Sequence, residues 1–194
     1  MSTHTHHVRR SAAIAAAAFA LPIALGVTAP AFAGSQQADP YGPACASVPK
    51  EGSGSLAGMA KDPVATAASN NPALSTLVTA VKKAGLVDTL NNAKGITVFA
   101  PTNDAFAKIP KADLDKILAD RAELTKILTY HVVGEKITPN QLGSGSFKSL
   151  EGGTLTTAGS GENFTVNGTA KIVCGDVQTA NATVNIIDTV LTPM

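Results

Sequence analysis

Residues 96–106, ITVFAPTNDAF, constrain the fold more than any other stretch of the chain. Ile96, Val98 and Ala100 fall on one face of an extended segment and Phe99 on the other, so both faces are apolar and the strand is expected to be central in its sheet. Pro101 has no N–H to donate and is expected to end the ladder. The side-chain oxygen of Thr102 or Asn103 can cap the helix that follows, and Asp104 places negative charge at the positive end of its dipole. Ala105, Phe106 and Ile109 supply the apolar side of that helix until Pro110 stops it.

Upstream, Arg9 and Arg10 precede an uncharged, alanine-rich run from Ala12 to Val27, and Ala31-Phe32-Ala33 offers small residues where a signal peptidase reads. Residues 1–33 are therefore expected to be a signal peptide, cleaved between Ala33 and Gly34. The run is too interrupted for a permanent span and no second apolar stretch of about 20 residues follows, so no membrane insertion of the mature chain is expected. Twin-arginine export would fit the arginine pair, but Ser11 and Ala12 follow it, which favours the general secretory route. No cysteine sits at the cleavage site, and Cys45 stands behind Gly42-Pro43-Ala44, a poor context for lipid attachment.

Removing the leader takes away Arg9 and Arg10 and leaves 13 basic against 14 acidic residues, a formal net of minus one. No basic run or aromatic–basic interleaving survives, so nucleic acid is not an expected partner. His4, His6 and His7 lie in the leader, which makes His131 the sole histidine of the mature protein. Two cysteines in an exported chain favour one disulfide, Cys45 to Cys174; a redox-active pair would want a C-x-x-C spacing that is lacking.

Residues 34–55 are rich in Gly, Pro, Ser, Ala and Gln and read as an extended lead-in with little core of its own. The folded domain is expected over 56–194. Asp62 is a candidate N-cap with Pro63 at the first helical position, and Asn71-Pro72 repeats the device. Leu74, Leu77, Val78 and Val81 form one helical stripe over 74–84, with Gly85 as a left-handed cap. Leu114, Ile117 and Leu118 mark a second amphipathic helix. Asp120 with Glu123 resembles a capping box for a third, with Leu124, Ile127 and Leu128 inward. That helix runs into Val132-Val133, a β-branched pair. From Phe147 onward short runs, 154–157, 164–166, 169–173 and 185–191, alternate with turn residues, and Asn167-Gly168 is a two-residue hairpin signal. The pattern predicts an α+β single domain with a helical first half and a β-rich second half.

TVFAPTNDAF at 97–106 is similar to the first signature segment of fasciclin-type domains, Tyr130-His131 to their central tyrosine–histidine motif, and VNIIDTVLTP at 184–193 to their second signature segment. GPAC at 42–45, DPVATAASNNP at 62–72, LTYHVV at 128–133 and IVCGDVQTANATVNIIDTVL at 172–191 resemble the short, secreted, immunogenic single-domain fasciclin proteins of bacteria. The resemblance implies a β-wedge of short strands packed with the helices of the first half, and a bond between Cys45 and Cys174. It also implies a non-catalytic role outside the cell, in adhesion or contact with a cell surface or matrix, through a protein or glycan partner. Thr102, Asn103, Asp104, Phe106, Tyr130, His131 and Asp188 are expected to be structural. No cofactor and a monomer are expected.

Catalytic patterns are weak. His131 could be a base or a metal ligand, but a lone histidine at a helix-to-strand junction reads as a buried, hydrogen-bonded core residue; Asp104 or nearby backbone is its expected partner. The Gly-Ser repeats at 52–55, 143–146 and 159–161 form no nucleophile elbow or phosphate loop and read as flexible turns. The carboxylate pairs Asp113/Asp115 and Asp120/Glu123 fit a solvated face or cap better than an acid/base dyad. With no Trp and two Tyr, the chain lacks the usual anchors of tight interfaces, so weak or multivalent contact is expected. The alternative to adhesion is a carrier of a small apolar ligand or a cell-wall glycan fragment, in a cleft between the helices and the wedge.

Overall fold

Strand β1 (Ile96–Pro101) is buried along its whole length, and its alternating side chains feed two separate cores. Ile96, Val98 and Ala100 join one cluster and Phe99 the other. This follows from the two-residue period of a strand with apolar residues on both faces. The computed structural model describes residues 39–193; the expected signal peptide and its cleavage site at Ala33–Gly34 lie outside those residues.

Ahead of β1 come helices α1 (Leu56–Met59), α2 (Val64–Ser69), α3 (Ser75–Ala84) and α4 (Val87–Asn92). After it come α5 (Asn103–Ala107), α6 (Lys111–Ala119) and α7 (Arg121–Tyr130). The remainder is β2 (Val132–Val133), α8 (Pro139–Leu142), β3 (Ser144–Lys148), β4 (Thr154–Ser160), β5 (Asn163–Val166), β6 (Ala170–Gln178) and β7 (Ala182–Ile187).

The seven strands are ordered β2-β1-β7-β6-β5-β4-β3. Only β1 and β7 run parallel, with Ile96 opposite Ala182 and Pro101 opposite Ile187. The register of β6 against β7 shifts twice, between Ile172 and Cys174 and between Cys174 and Val177. Such irregularities bend a strand and increase its twist, and Asp176, at φ 57°, sits in the second of them. The sheet curls until its ends meet: Ser149, just past β3, bridges Val133, and Leu150 N–H donates to the Val132 carbonyl at 2.7 Å. The inner core holds Phe99, Tyr130, Ile137, Leu155, Val166 and Ile187. The outer core lies between the helices and the opposite face, around Leu77, Val81, Val98, Leu128, Val184 and Ile186.

Several expected elements stand where the sequence put them. The α3 stripe buries Leu77 and Val81, and Gly85 closes the helix at φ 73°. Asp120 caps α7, accepting from Ala122 N–H at 2.9 Å and Glu123 N–H at 3.1 Å. Asn167 and Gly168, at φ 51° and 69°, make the tight turn between β5 and β6.

Others are corrected. Pro101 does not end the ladder but is paired inside β1, because its missing N–H costs nothing where Thr102 N–H takes over, donating to the Ile187 carbonyl at 3.0 Å. Asp62 does not cap α2. Its carboxylate accepts from Asn70 Nδ2, and the helix-start N–H of Val64 is taken by Asn181 Oδ1 at 2.8 Å, from a turn 117 positions away. The repeats at 143–146 and 159–161 are largely strand, in β3 and β4, since cross-strand pairing overrides their turn-like composition. The last strand stops at Ile187 rather than reaching Leu191.

The described part of the lead-in, expected to be extended with little core of its own, is held against β6. Tyr41 pairs with Gly175, Pro43–Ser47 forms a 3-10 turn, and Val48 is buried in the outer core. Gly175 permits this approach: a Cβ there would stand 2.3 Å from the Tyr41 ring.

Candidate functional site

The residues singled out by sequence gather at the seam between α7, β1 and the chain's last segment. His131 ends α7 and is 2 % exposed. Leu191 N–H donates to its Nε2 at 2.9 Å, which fixes Nε2 as the acceptor, so Nδ1 carries the proton and donates to the Ile127 carbonyl at 2.9 Å. The His131 carbonyl accepts from Phe99 N–H at 2.8 Å. One residue thus ties the helix, β1 and the C-terminal segment together. Burial pushes the imidazole down to about 4, against a smaller upward pull from its bond to Ile127, so it is neutral at physiological pH. Both ring nitrogens are engaged with backbone, and neither is free to take a proton from a substrate.

Of the partners expected for His131, backbone is the one found, and the Asp104 pair does not form. Asp104 lies exposed in the first turn of α5, where the dipole holds it, while the imidazole faces inward. Thr102 is the cap of α5, accepting from Ala105 N–H at 3.2 Å. Asn103 instead reaches across to the start of α3: its Oδ1 accepts from Thr76 N–H at 2.9 Å and its Nδ2 donates to the Pro72 carbonyl at 2.9 Å. Phe106 is buried in the outer core.

Tyr130 packs in the inner core and its hydroxyl donates to the Thr154 carbonyl at 2.9 Å, while accepting from Asn167 Nδ2 at 3.0 Å. Asp188 accepts from Lys171 N–H at 2.8 Å and pairs with Lys108 at 3.3 Å. Burial pushes its carboxyl up, but the Lys171 N–H, the Thr189 hydroxyl and Lys108 together outweigh that and hold it below the usual range. Cys45 and Cys174 are bonded, with Cα atoms 4.9 Å apart. The bond pins the lead-in to the bulged stretch of β6.

One feature escaped the sequence reading, and a second was expected only as an alternative, without its lining. Asn181, in the β6–β7 turn, donates through Nδ2 to the carbonyls of Leu90 and Ala93, each at 2.7 Å, and closes the ends of α2 and α4 onto the sheet. Only its placement in a polar turn hinted at that. The second is an apolar cavity of about 110 Å³ between α2, α3 and the outer face of the sheet, floored by Val98, Val184 and Ile186. It depends on how helices lie across strands, which periodicity does not encode. Among the described residues no group of three or more His, Cys, Asp or Glu is placed to hold a metal ion, and no helix is long and apolar enough to cross a membrane.

This arrangement matches known proteins. Residues 72–193 match the Fasciclin domain model. The chain is 49% identical over 164 residues to cell surface glycolipoprotein MPB83 of Mycobacterium bovis, covering 80% of this chain and 73% of that one. It is 45% identical over 186 residues to immunogenic protein MPB70 of the same species, covering 92% and 93%. Protein sll1483 of Synechocystis is 44% identical over 128 residues, covering 65% and 71%. The FAS1 domain pair of the insect cell adhesion molecule fasciclin I shares the fold, at TM-score 0.50 and 21% identity over 61% of this chain; the match spans 45% of that longer chain. From its motifs, its curled sheet and these relatives, the chain belongs to the fasciclin domain family and takes that family's short bacterial form.

Proposed function

We propose that this is an extracellular, non-catalytic fasciclin-domain protein that acts by contact with a cell-surface or matrix protein or glycan. The observation that carries the non-catalytic part is the sealing of His131: the best candidate for chemistry is buried, neutral and bonded to backbone at both nitrogens. The surface role follows from family membership and from relatives whose names place them at the cell surface or among immunogenic proteins.

One candidate contact face is the helical hairpin of α6 and α7 around Leu114 to Leu128, with α6 its more exposed arm. No residue of α6 is buried, and Leu114, Ile117 and Leu118 are half-buried beside exposed Lys111, Asp113, Asp115 and Lys116. The test is binding of the labelled, purified protein to intact cells and to immobilised matrix. Saturable binding that unlabelled protein competes away, and that charge reversal along α6 weakens, supports the reading. Turnover of any substrate that His131→Ala abolishes in a folded protein overturns it.

The apolar cavity favours a second reading, a carrier of a small apolar ligand.

A further inference from the structure

The cavity beneath α2 and α3 has a one-sided chemistry. Its walls are aliphatic, with Leu77, Val81 and Leu128 facing Val98, Val184 and Ile186. Where the lining becomes exposed, it does so at Thr66, Ser69 and Lys82. Lys82 is the only charged residue of the lining, no carboxylate accompanies it there, and it makes no ion pair among the described residues. An unfilled apolar space does not help the fold, because the atoms around it forgo dispersion contacts. Apolar cavities of roughly 150 Å³ stay dry and take up hydrocarbons of benzene size, and this one, at about 110 Å³, is of that order. A hydrocarbon inside would lose nothing to polar mismatch. A negative head at the rim would find the Lys82 ammonium and the Thr66 hydroxyl, the Ser69 hydroxyl proton being given to the Thr66 carbonyl, and a positive head would be repelled by Lys82.

Resting on the carrier reading, we propose that the cavity takes the terminal part of the hydrocarbon tail, about five carbons at interior packing density, of a single-chain anionic amphiphile of the fatty-acid class, the rest of the tail leading out to its carboxylate at the Lys82 rim. The tail supplies the affinity and the rim supplies the choice of head group. Lys82 also lies in the last turn of α3, where a cation suits the helix dipole, so the anion site uses a charge the helix already favours.

The experiment is an NMR titration of the purified protein with three probes: benzene, decanoate, and decyltrimethylammonium, which has the same tail and the opposite head. Benzene and decanoate are expected to shift amides of α2, α3 and β7 saturably, with decanoate binding more tightly than the cationic probe. Lys82→Glu, an exposed change that leaves the core intact, is expected to weaken decanoate by about fivefold and leave benzene unchanged. Ala67→Leu, which fills the cavity from α2, is expected to weaken both. If benzene binds but decanoate is no tighter than the cationic probe, or is indifferent to Lys82→Glu, the anionic amphiphile is wrong and the carrier reading stands. If none of the three shifts those amides at millimolar concentration, both fall.

Discussion

Acidification should unlatch the C-terminal segment through His131. The imidazole is held near 4 in the folded protein, against an ordinary value of 6.5. Between these two values the unfolded chain binds a proton that the folded chain refuses, so stability rises with pH across that window. The stabilisation is complete above about pH 6.5 and is lost as pH falls toward 4; at 1.36 kcal/mol per tenfold in protons the whole gap is worth about 3 kcal/mol. The residue is fully buried, so solvent screening does not reduce this much. Protonating Nε2 would also turn the acceptor of the Leu191 N–H into a second donor, leaving two donors face to face. Urea unfolding of the wild type and of His131→Gln, followed from pH 7.5 to pH 4, isolates this one group, because the carboxylates contribute equally to both curves. The gap between the two curves should close by about 3 kcal/mol as pH falls. A gap that stays constant to within about 0.5 kcal/mol would refute the reasoning, since it would mean that the imidazole is charged or solvated in the folded state.

Reducing the Cys45–Cys174 bond, which spans 129 positions, should lower unfolding free energy by up to about 5 kcal/mol in the chain-entropy account; a reductant that leaves the urea midpoint unmoved would show that the reduced chain stays ordered around the same lead-in. Asn103→Ala removes the acceptor of Thr76 N–H and should cost about 1–2 kcal/mol, with amide exchange rising first at the start of α3. Asn181→Ala strips Val64 N–H and the Leu90 and Ala93 carbonyls of their partner and should cost about 2–3 kcal/mol, more than Asn103→Ala, in thermal unfolding. Gly175→Ala forces a methyl into the Tyr41 ring and should detach the lead-in, read as new protease cleavage before Leu56.

What could be read directly was whatever a single segment decides for itself. The two-faced pattern of Ile96 to Ala100 assigned each side chain to its core before any neighbour was known, and Gly85, Asp120 and Asn167-Gly168 marked boundaries by their own backbone chemistry. The misreadings share a different cause. Val64 is capped by Asn181, Thr76 by Asn103 and the imidazole by Leu191; each pairs distant segments, and a reading of the chain nominates the nearest polar residue, as with Asp62, or a polar residue of another motif, as with Asp104. The place of Lys82 at the cavity rim was out of reach for the same reason, because it depends on how α3 lies against the sheet.

The order of the strands has a consequence for biogenesis. Strand β7 sits between β1 and β6 and is the sole ladder joining them. A chain made only as far as Asn181 therefore holds β1 and β6 without the strand that pairs with both, and its half-sheets can meet only at the Val133–Ser149 bridge. The parallel β1–β7 pairing joins residues 86 positions apart, Ile96 and Ala182, which makes contact formation long-range and slow.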